Sequence, residues 1–101
     1  MRQVETNAIS LDMVAEPNQD VRACLRTVLS RIITDAGLSQ TQAAKLCATD
    51  QPTLSKLLSG RSDSVSADQM LRWMIVLGYD IEINVCSRQQ SPGTIKATLH
   101  G

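Results

Sequence analysis

The side chains whose types and spacing best suit binding of a ligand lie close together between residues 51 and 59. They are, in order along the chain, Gln51, Pro52, Thr53, Ser55, Lys56 and Ser59. Apart from the proline, all can donate or accept hydrogen bonds, and none is acidic. A helix that presents these side chains on one face suits the major groove of double-stranded DNA, where bases present hydrogen-bonding edges and phosphates repel carboxylates. The alternative is an ordinary solvated helix face.

Other kinds of chemistry have little support in the sequence. His100 is the only histidine, and the chain lacks a glycine-rich phosphate loop, a carboxylate pair beside a base, and metal-ligand spacing. We therefore expect no catalytic residue, no cofactor and no metal site. Cys24, Cys47 and Cys86 are an odd number without C-x-x-C spacing, which indicates small buried apolar residues in a reducing compartment. With no apolar run that could span a membrane, we expect a cytoplasmic protein.

The composition favours a helical fold, and the positive charge is concentrated in the middle of the chain. Trp73 and Tyr79 are the only aromatic residues, so the core must consist mainly of aliphatic side chains, which favours packed helices. The net charge is zero, but its distribution is uneven. Residues 21–61 carry six basic and two acidic residues, whereas residues 1–20 and 62–86 each carry one basic and four acidic residues. Random scatter over a solvated surface remains the alternative explanation.

Helix periodicity and capping signals predict four helices. The first begins after Asp20 and ends at Gly37, with apolar residues at helical spacing. The second runs from Ser39, with a capping box to Gln42, and the third runs from Asp50 to Ser59. A fourth begins at Ser66 and stops at Gly78. The connection between the second and third helices is very short. It should fix the two helices at a steep angle, so that one helix presents the other outward.

The chain beyond the fourth helix changes period. Ile81, Ile83 and Val85 alternate with polar residues, which predicts a half-buried strand over residues 80–86. The predicted organisation is an N-terminal arm (1–18), a helical domain (19–86) with this strand, and a flexible C-terminal tail (87–101). Because a lone strand leaves an edge unpaired, we expect it to pair with its twin in a homodimer. The alternative is pairing within one chain, with the segment around Ile9 to Val14.

The stretch GLSQTQAAKLCATDQPTLSKLLSGR, residues 37–61, resembles the helix-turn-helix of the XRE/Cro family of DNA-binding regulators, which includes phage repressors. The family's features occur in order: Leu38-Ser39-Gln40, Ala44, Leu54 with Leu57, and Ser59-Gly60-Arg61. Asp50-Gln51-Pro52 and LGYDIEI at residues 77–83 are similar to HigA-type antitoxins. The resemblance implies a mainly α, lambda-repressor-like bundle of four to five helices with a single C-terminal strand.

The resemblance also assigns roles to individual residues. Those implied to contact bases are Gln51, Pro52, Ser55 and Lys56. Those implied to contact phosphates are Ser39, Gln40, Thr53, Ser59 and Arg61. Two positions depart from the family pattern, since Ala48 stands where the turn usually has glycine and Thr49 where it usually has an apolar residue.

The partners expected on this basis are a palindromic operator in double-stranded DNA, a second copy of the chain that pairs through Ile81, Ile83 and Val85, and an RNase-type toxin bound by the acidic arm. The expected function is a transcriptional repressor that is the antitoxin of a toxin–antitoxin module and autoregulates its operon. Two alternatives stay open: a stand-alone or phage-type regulator without a toxin, and a degenerate helix-turn-helix used only for protein contacts.

Overall fold

Four helices with a strand at either end make up the described part of the protein. The computed structural model describes residues 10–15, 21–62, 64–87 and 94–100. The elements are β1 (Ser10–Ala15), α1 (Val21–Asp35), α2 (Gln40–Leu46), α3 (Gln51–Leu58), α4 (Ala67–Val76) and β2 (Ile95–His100). The mainly helical class predicted from the sequence is confirmed, and the four helices lie where capping and periodicity predicted them.

The helix starts follow local signals. Ser39 Oγ accepts a hydrogen bond from the Gln42 backbone N–H at 3.0 Å, and the Ser39 N–H donates to Gln42 Oε1 at 2.8 Å, which completes the predicted capping box of α2. At α4, Ser66 Oγ accepts from the Gln69 N–H, which is the first half of the predicted second box. Each cap satisfies an N–H that the first helical turn leaves without a partner.

One aliphatic core joins all four helices. Its fully buried side chains are Leu29, Ile32, Leu54, Leu57 and Met70. Trp73 of α4 is 4% exposed within the same cluster. The buried residues of the described chain include no polar or charged side chain, so the hydrophobic effect holds these helices together.

The three cysteines have different surroundings. Cys24 and Cys47 are buried as predicted, whereas Cys86 is exposed, which corrects the expectation that all three are core residues. Burial raises the pKa of the Cys47 thiol, so this side chain stays protonated near neutral pH and behaves as a small apolar residue.

The position of the C-terminal strand differs from the prediction. Residues 79–87 form neither helix nor strand, although Ile81, Ile83 and Val85 alternate with polar residues. Ile81 packs against the core, but Ile83 is 76% and Val85 91% exposed. Alternation alone does not make a strand, because a strand also needs a partner for its backbone hydrogen bonds.

The C-terminal strand is β2, which lies within the segment predicted to be a flexible tail. It pairs antiparallel with β1, with Ser10 opposite His100 and Ala15 opposite Ile95. The N-terminal segment therefore does pair within the chain, as the alternative held, but with residues 95–100 instead of 80–86. Leu99 is 6% exposed and belongs to the core cluster, so its burial anchors this small sheet to the helices.

The turn between α2 and α3 contains the left-handed residue that the family pattern expects. Ala48 has φ 58°, which makes it the one non-glycine residue with positive φ in the described chain. The Ala48 N–H donates to Lys45 O at 3.2 Å and the Thr49 N–H to Ala44 O at 2.9 Å. These two bonds form a Schellman cap at the end of α2, so the tight turn forms despite the alanine.

Substituting Ala48 by glycine is expected to stabilise the protein. A Cβ atom in the left-handed region is strained, and its removal should raise the free energy of unfolding by about 1 kcal/mol. Urea unfolding followed by circular dichroism measures this change. The matched control is Ala23→Gly inside α1, which should lose about 1 kcal/mol because its backbone is helical. Equal losses in both variants would contradict the prediction.

Candidate nucleic-acid interface

Helix α3 is held from beneath and presents its other side to solvent. Leu54 and Leu57 are completely buried, while Ala43 and Ala44 of α2 are small and buried where the two helices approach each other. Pro52, Lys56 and Ser59 are exposed. The remaining polar side chains of α3 are half-buried, namely Gln51, Thr53 and Ser55. Helix α3 and its C-cap Ser59 therefore carry all the polar side chains that the sequence singled out, while Leu54 and Leu57 form the buried face of the helix.

Gln40 and Gln51, which come from different helices, form a direct hydrogen bond. Gln51 Nε2 donates to Gln40 Oε1 at 2.9 Å, and both side chains are half-buried. One N–H and the amide oxygen of Gln51 are left for a ligand, which are the two groups that a bidentate contact with adenine requires. The amide N–H groups of Gln40 are left to donate to a phosphate. The structure thus brings together one predicted base contact and one predicted phosphate contact.

Asp50 caps the start of α3. Its Oδ1 accepts from the Thr53 backbone N–H at 2.8 Å. Hydrogen bonds from the Thr53 hydroxyl and from this N–H, with a smaller contribution from the charge of Lys56, lower the pKa of the Asp50 carboxyl.

The Asp50 cap makes stability depend on pH on the acidic side only. A carboxyl whose pKa is lowered by folding stabilises the folded state above its unfolded pKa, and this stabilisation is lost as pH falls through the folded value. Asp50→Asn keeps a capping oxygen but cannot titrate. We expect the wild type to be the more stable protein at pH 7, and the difference between the two proteins to be smaller at pH 3. Urea unfolding at both pH values tests this, and a constant difference would contradict it.

The other end of α3 is closed by a linked set of hydrogen bonds. Gly60, with φ 80°, donates to Leu57 O at 3.0 Å, and the Arg61 N–H donates to Lys56 O at 2.9 Å. Ser59 Oγ donates to Lys56 O and accepts from Arg61 Nε at 2.8 Å. The Ser59 hydroxyl therefore orients the Arg61 guanidinium, whose remaining N–H groups point to a role in anion binding.

Two arginines that the sequence patterns did not single out belong to this region. Arg22 at the start of α1 donates through Nε to Val65 O at 2.8 Å and through Nη2 to Ser62 O at 3.2 Å, so it fixes the linker that follows α3. The guanidinium of Arg26 lies beside Gly60, 3.7 Å from where a Cβ would stand. Arg22 and Arg26 contributed only their charge to the sequence-based prediction, although their four-residue spacing places them on one face of α1.

The described residues offer little for other chemistry. They contain no group of three or more histidine, cysteine, aspartate or glutamate side chains that could hold a metal ion. None of the helices found in the described ranges combines the length and apolarity needed to cross a membrane.

Comparison with known proteins agrees with this geometry. The profile of the family described as "Helix-turn-helix domain" matches residues 10–86. A solved chain described as a candidate XRE family transcriptional regulator has a similar fold, with a TM-score of 0.61 and 27% sequence identity. That similarity covers 71% of this chain and 84% of the other. No curated protein matches the chain.

The chain belongs to the helix-turn-helix domain family, and its helix-turn-helix is of the XRE type. Helices α2 and α3 are the two helices of the motif, with Ala48 in the turn between them. The family and the fold together make it a DNA-binding protein of the transcription-regulator class.

Proposed function

We propose that this protein is a sequence-specific repressor that binds a palindromic operator as a homodimer, in the cytoplasm and without enzymatic activity. Helix α3 enters the major groove, where Gln51, Pro52, Ser55 and Lys56 face the bases. Gln40 and Arg61 bind the phosphates on either side, together with Ser39, Thr53 and Ser59.

The observation that carries this proposal is the hydrogen bond between Gln51 and Gln40. An exposed glutamine samples many rotamers and loses conformational entropy when it binds. Here the amide of Gln51 is held at 2.9 Å by a second amide, on a helix whose buried side is completely packed. A side chain that is ordered before binding reads a base at a lower entropic cost.

The first test is binding to the DNA upstream of the protein's own gene, compared with a scrambled duplex of equal length. Fluorescence anisotropy between about 50 and 200 mM salt gives both affinities and their salt dependence. We expect the upstream DNA to bind at least about a thousandfold more tightly than the scrambled duplex. Equal affinity for both duplexes would contradict a sequence-specific function.

Dimerisation is supported by exposed apolar residues in the last turn of α4 and in the segment that follows it. Ile83 and Val85 follow α4, whose own last turn exposes Ile75 (57%) and Val76 (56%). Large aliphatic side chains at this exposure favour burial against another protein surface. We propose that residues 81–85 of two copies meet around a two-fold axis, with Ile81, Ile83 and Val85 at the contact.

Val85→Asp tests this interface, and Val85→Thr is the control of similar shape. Light scattering after gel filtration should give the mass of a dimer for the wild type and for Val85→Thr. It should give the mass of a monomer for Val85→Asp, because a buried unpaired carboxylate is costly. A dimeric Val85→Asp protein would place the interface elsewhere.

We further propose that the regulator is the antitoxin of a toxin–antitoxin module, similar to the HigA type. Two features support this part of the proposal. Residues 1–20 are acidic, which suits a basic RNase-type toxin. In addition, β1 pairs with β2 on one side, and no further strand covers its other edge within the described residues, so a partner could add a strand there.

Co-expression with the neighbouring open reading frame tests the antitoxin role. The neighbour alone should arrest growth, the pair should not, and the two proteins should co-purify. Asp12→Asn together with Glu16→Gln removes two of the four acidic charges of residues 1–20, and should weaken co-purification and leave DNA affinity unchanged. These substitutions are sharper than removal of residues 1–18, which would also delete β1. A harmless neighbour would leave a stand-alone regulator as the function.

A further inference from the structure

The proposed function uses only one side of a groove beside the recognition helix, the side lined by Gln40, Ser55 and Ser59. The groove lies between α1 and the α2–α3 pair and has a volume of about 340 Å³. Three of its lining side chains are apolar, namely Ile33, Leu38 and Leu58. The others are polar and uncharged, namely Ser30, Thr34, Gln40, Ser55 and Ser59. No acidic residue lines the groove, so an anionic ligand meets hydroxyl and amide donors without repulsion.

The polar residues of α1 extend this groove into a stripe. Arg26, Ser30 and Thr34 are four residues apart and therefore lie on one face of α1. The Arg26 guanidinium lies beside Gly60, just beyond the end of α3, whereas Thr34 lies toward the start of α2. The stripe thus runs alongside the recognition helix and meets the predicted phosphate-binding residues Gln40 and Ser59.

Arg26 is the charged member of the stripe. Its side chain is half-buried, yet it makes no hydrogen bond or ion pair with any described residue, in contrast to Arg31, whose Nε contacts Asp35 at 2.9 Å. A partly desolvated guanidinium without an anionic partner can gain strongly from a phosphate, which it can bind through two parallel N–H groups.

We propose that this stripe binds the phosphodiester backbone of the DNA strand that borders the occupied major groove. The proposal rests on the proposed DNA-binding function and adds α1 to the surface that contacts DNA. Arg26 neutralises one phosphate, and the hydroxyls of Ser30 and Thr34 donate to the phosphate oxygens that follow along the strand. These contacts position the protein and carry no sequence information.

The test compares Arg26→Gln with Arg31→Gln, which removes the same charge from a neighbouring position on the other side of α1. Affinities for the upstream DNA and for the scrambled duplex are measured across the same salt series. Loss of one phosphate contact should weaken binding to both duplexes about fivefold at 0.15 M salt and reduce the salt slope by about 0.9, each value counted per protomer of the dimer. Arg31→Gln should change the slope much less.

Two further variants guard against a trivial loss of folding. Arg26→Lys retains the charge and should restore the salt slope of the wild type. The double variant Ser30→Ala, Thr34→Ala should weaken binding to both duplexes equally and leave the salt slope unchanged. If the wild type binds DNA and Arg26→Gln has the same salt slope as the wild type, this inference is overturned but the proposed function is not. A wild type that binds neither duplex would overturn the proposed function and this inference together.

Discussion

Leu54→Ala is expected to lower the free energy of unfolding by about 3–5 kcal/mol. Leu54 is completely buried on the inner face of α3, where the truncation leaves a cavity in addition to the lost apolar transfer energy. Domains of this size are stable by only about 5–15 kcal/mol, so the variant would lose a large share of its stability. Urea unfolding followed by the fluorescence of Trp73, the only tryptophan, measures the change.

The control for this prediction is another leucine of the same motif. Leu46 at the end of α2 is 54% exposed, so Leu46→Ala should cost less than about 1 kcal/mol. A comparable loss in both variants would mean that burial beneath α3 is not what holds the recognition helix in place. In that case the groove beside α3 would also need a different explanation.

Gln51→Ala is expected to weaken operator binding by about 1–3 kcal/mol per half-site, which is roughly 5- to 150-fold. The substitution removes both atoms of the proposed bidentate base contact but no phosphate contact and no charge. Binding to a scrambled duplex should therefore change little, and the salt slope should stay the same. Anisotropy titrations on both duplexes separate these two effects.

Gln40→Ala completes the experiment, because Gln40 is the acceptor that holds the Gln51 amide. A double-mutant cycle isolates the coupling between the two side chains. If Gln40 orders Gln51 for binding, the loss in the double variant will be smaller than the sum of the single losses. Strict additivity would mean that the 2.9 Å bond between the two amides does not contribute to operator recognition.

These two predictions separate the support of α3 from its chemistry. Leu54 is expected to affect stability, and DNA binding only through the position of the helix. Gln51 is half-buried and bonds only to Gln40 among the described residues, so its loss should leave the fold nearly unchanged. If Leu54→Ala impaired sequence-specific binding at unchanged stability and Gln51→Ala impaired stability at unchanged binding, sequence recognition would depend on the buried residues and not on the exposed face of α3.

The helices and most of the candidate interface could be predicted from the sequence, because their determinants are local. Ser39 with Gln42 and Asp50 with Thr53 act within one helical turn, and each lies where the sequence indicated a helix start. The left-handed conformation of Ala48 was not predicted in this way, because the family pattern has glycine at this position and alanine is strained there. Signals confined to a few residues do not depend on the rest of the chain.

The strands could not be placed in this way. Ile81, Ile83 and Val85 have the alternation of a strand, yet Ile95 to His100 forms one, because it finds Ser10–Ala15 as a partner and buries Leu99 in the core. Such a pairing joins residues from opposite ends of the chain. Its stability depends on burial against helices that periodicity alone does not arrange.

The sequence by itself determined four helices and the N-terminal caps of three of them, a helix-turn-helix, and a polar outer face of α3 without carboxylates. Only the tertiary structure decided that Gln51 is held by Gln40, that Arg22 fixes the linker after α3, and that Arg26 lies beside Gly60. The reason is physical: caps and periodicity arise between residues within one turn of a helix. A contact between side chains on different helices exists only once the core has set the distance and angle between those helices.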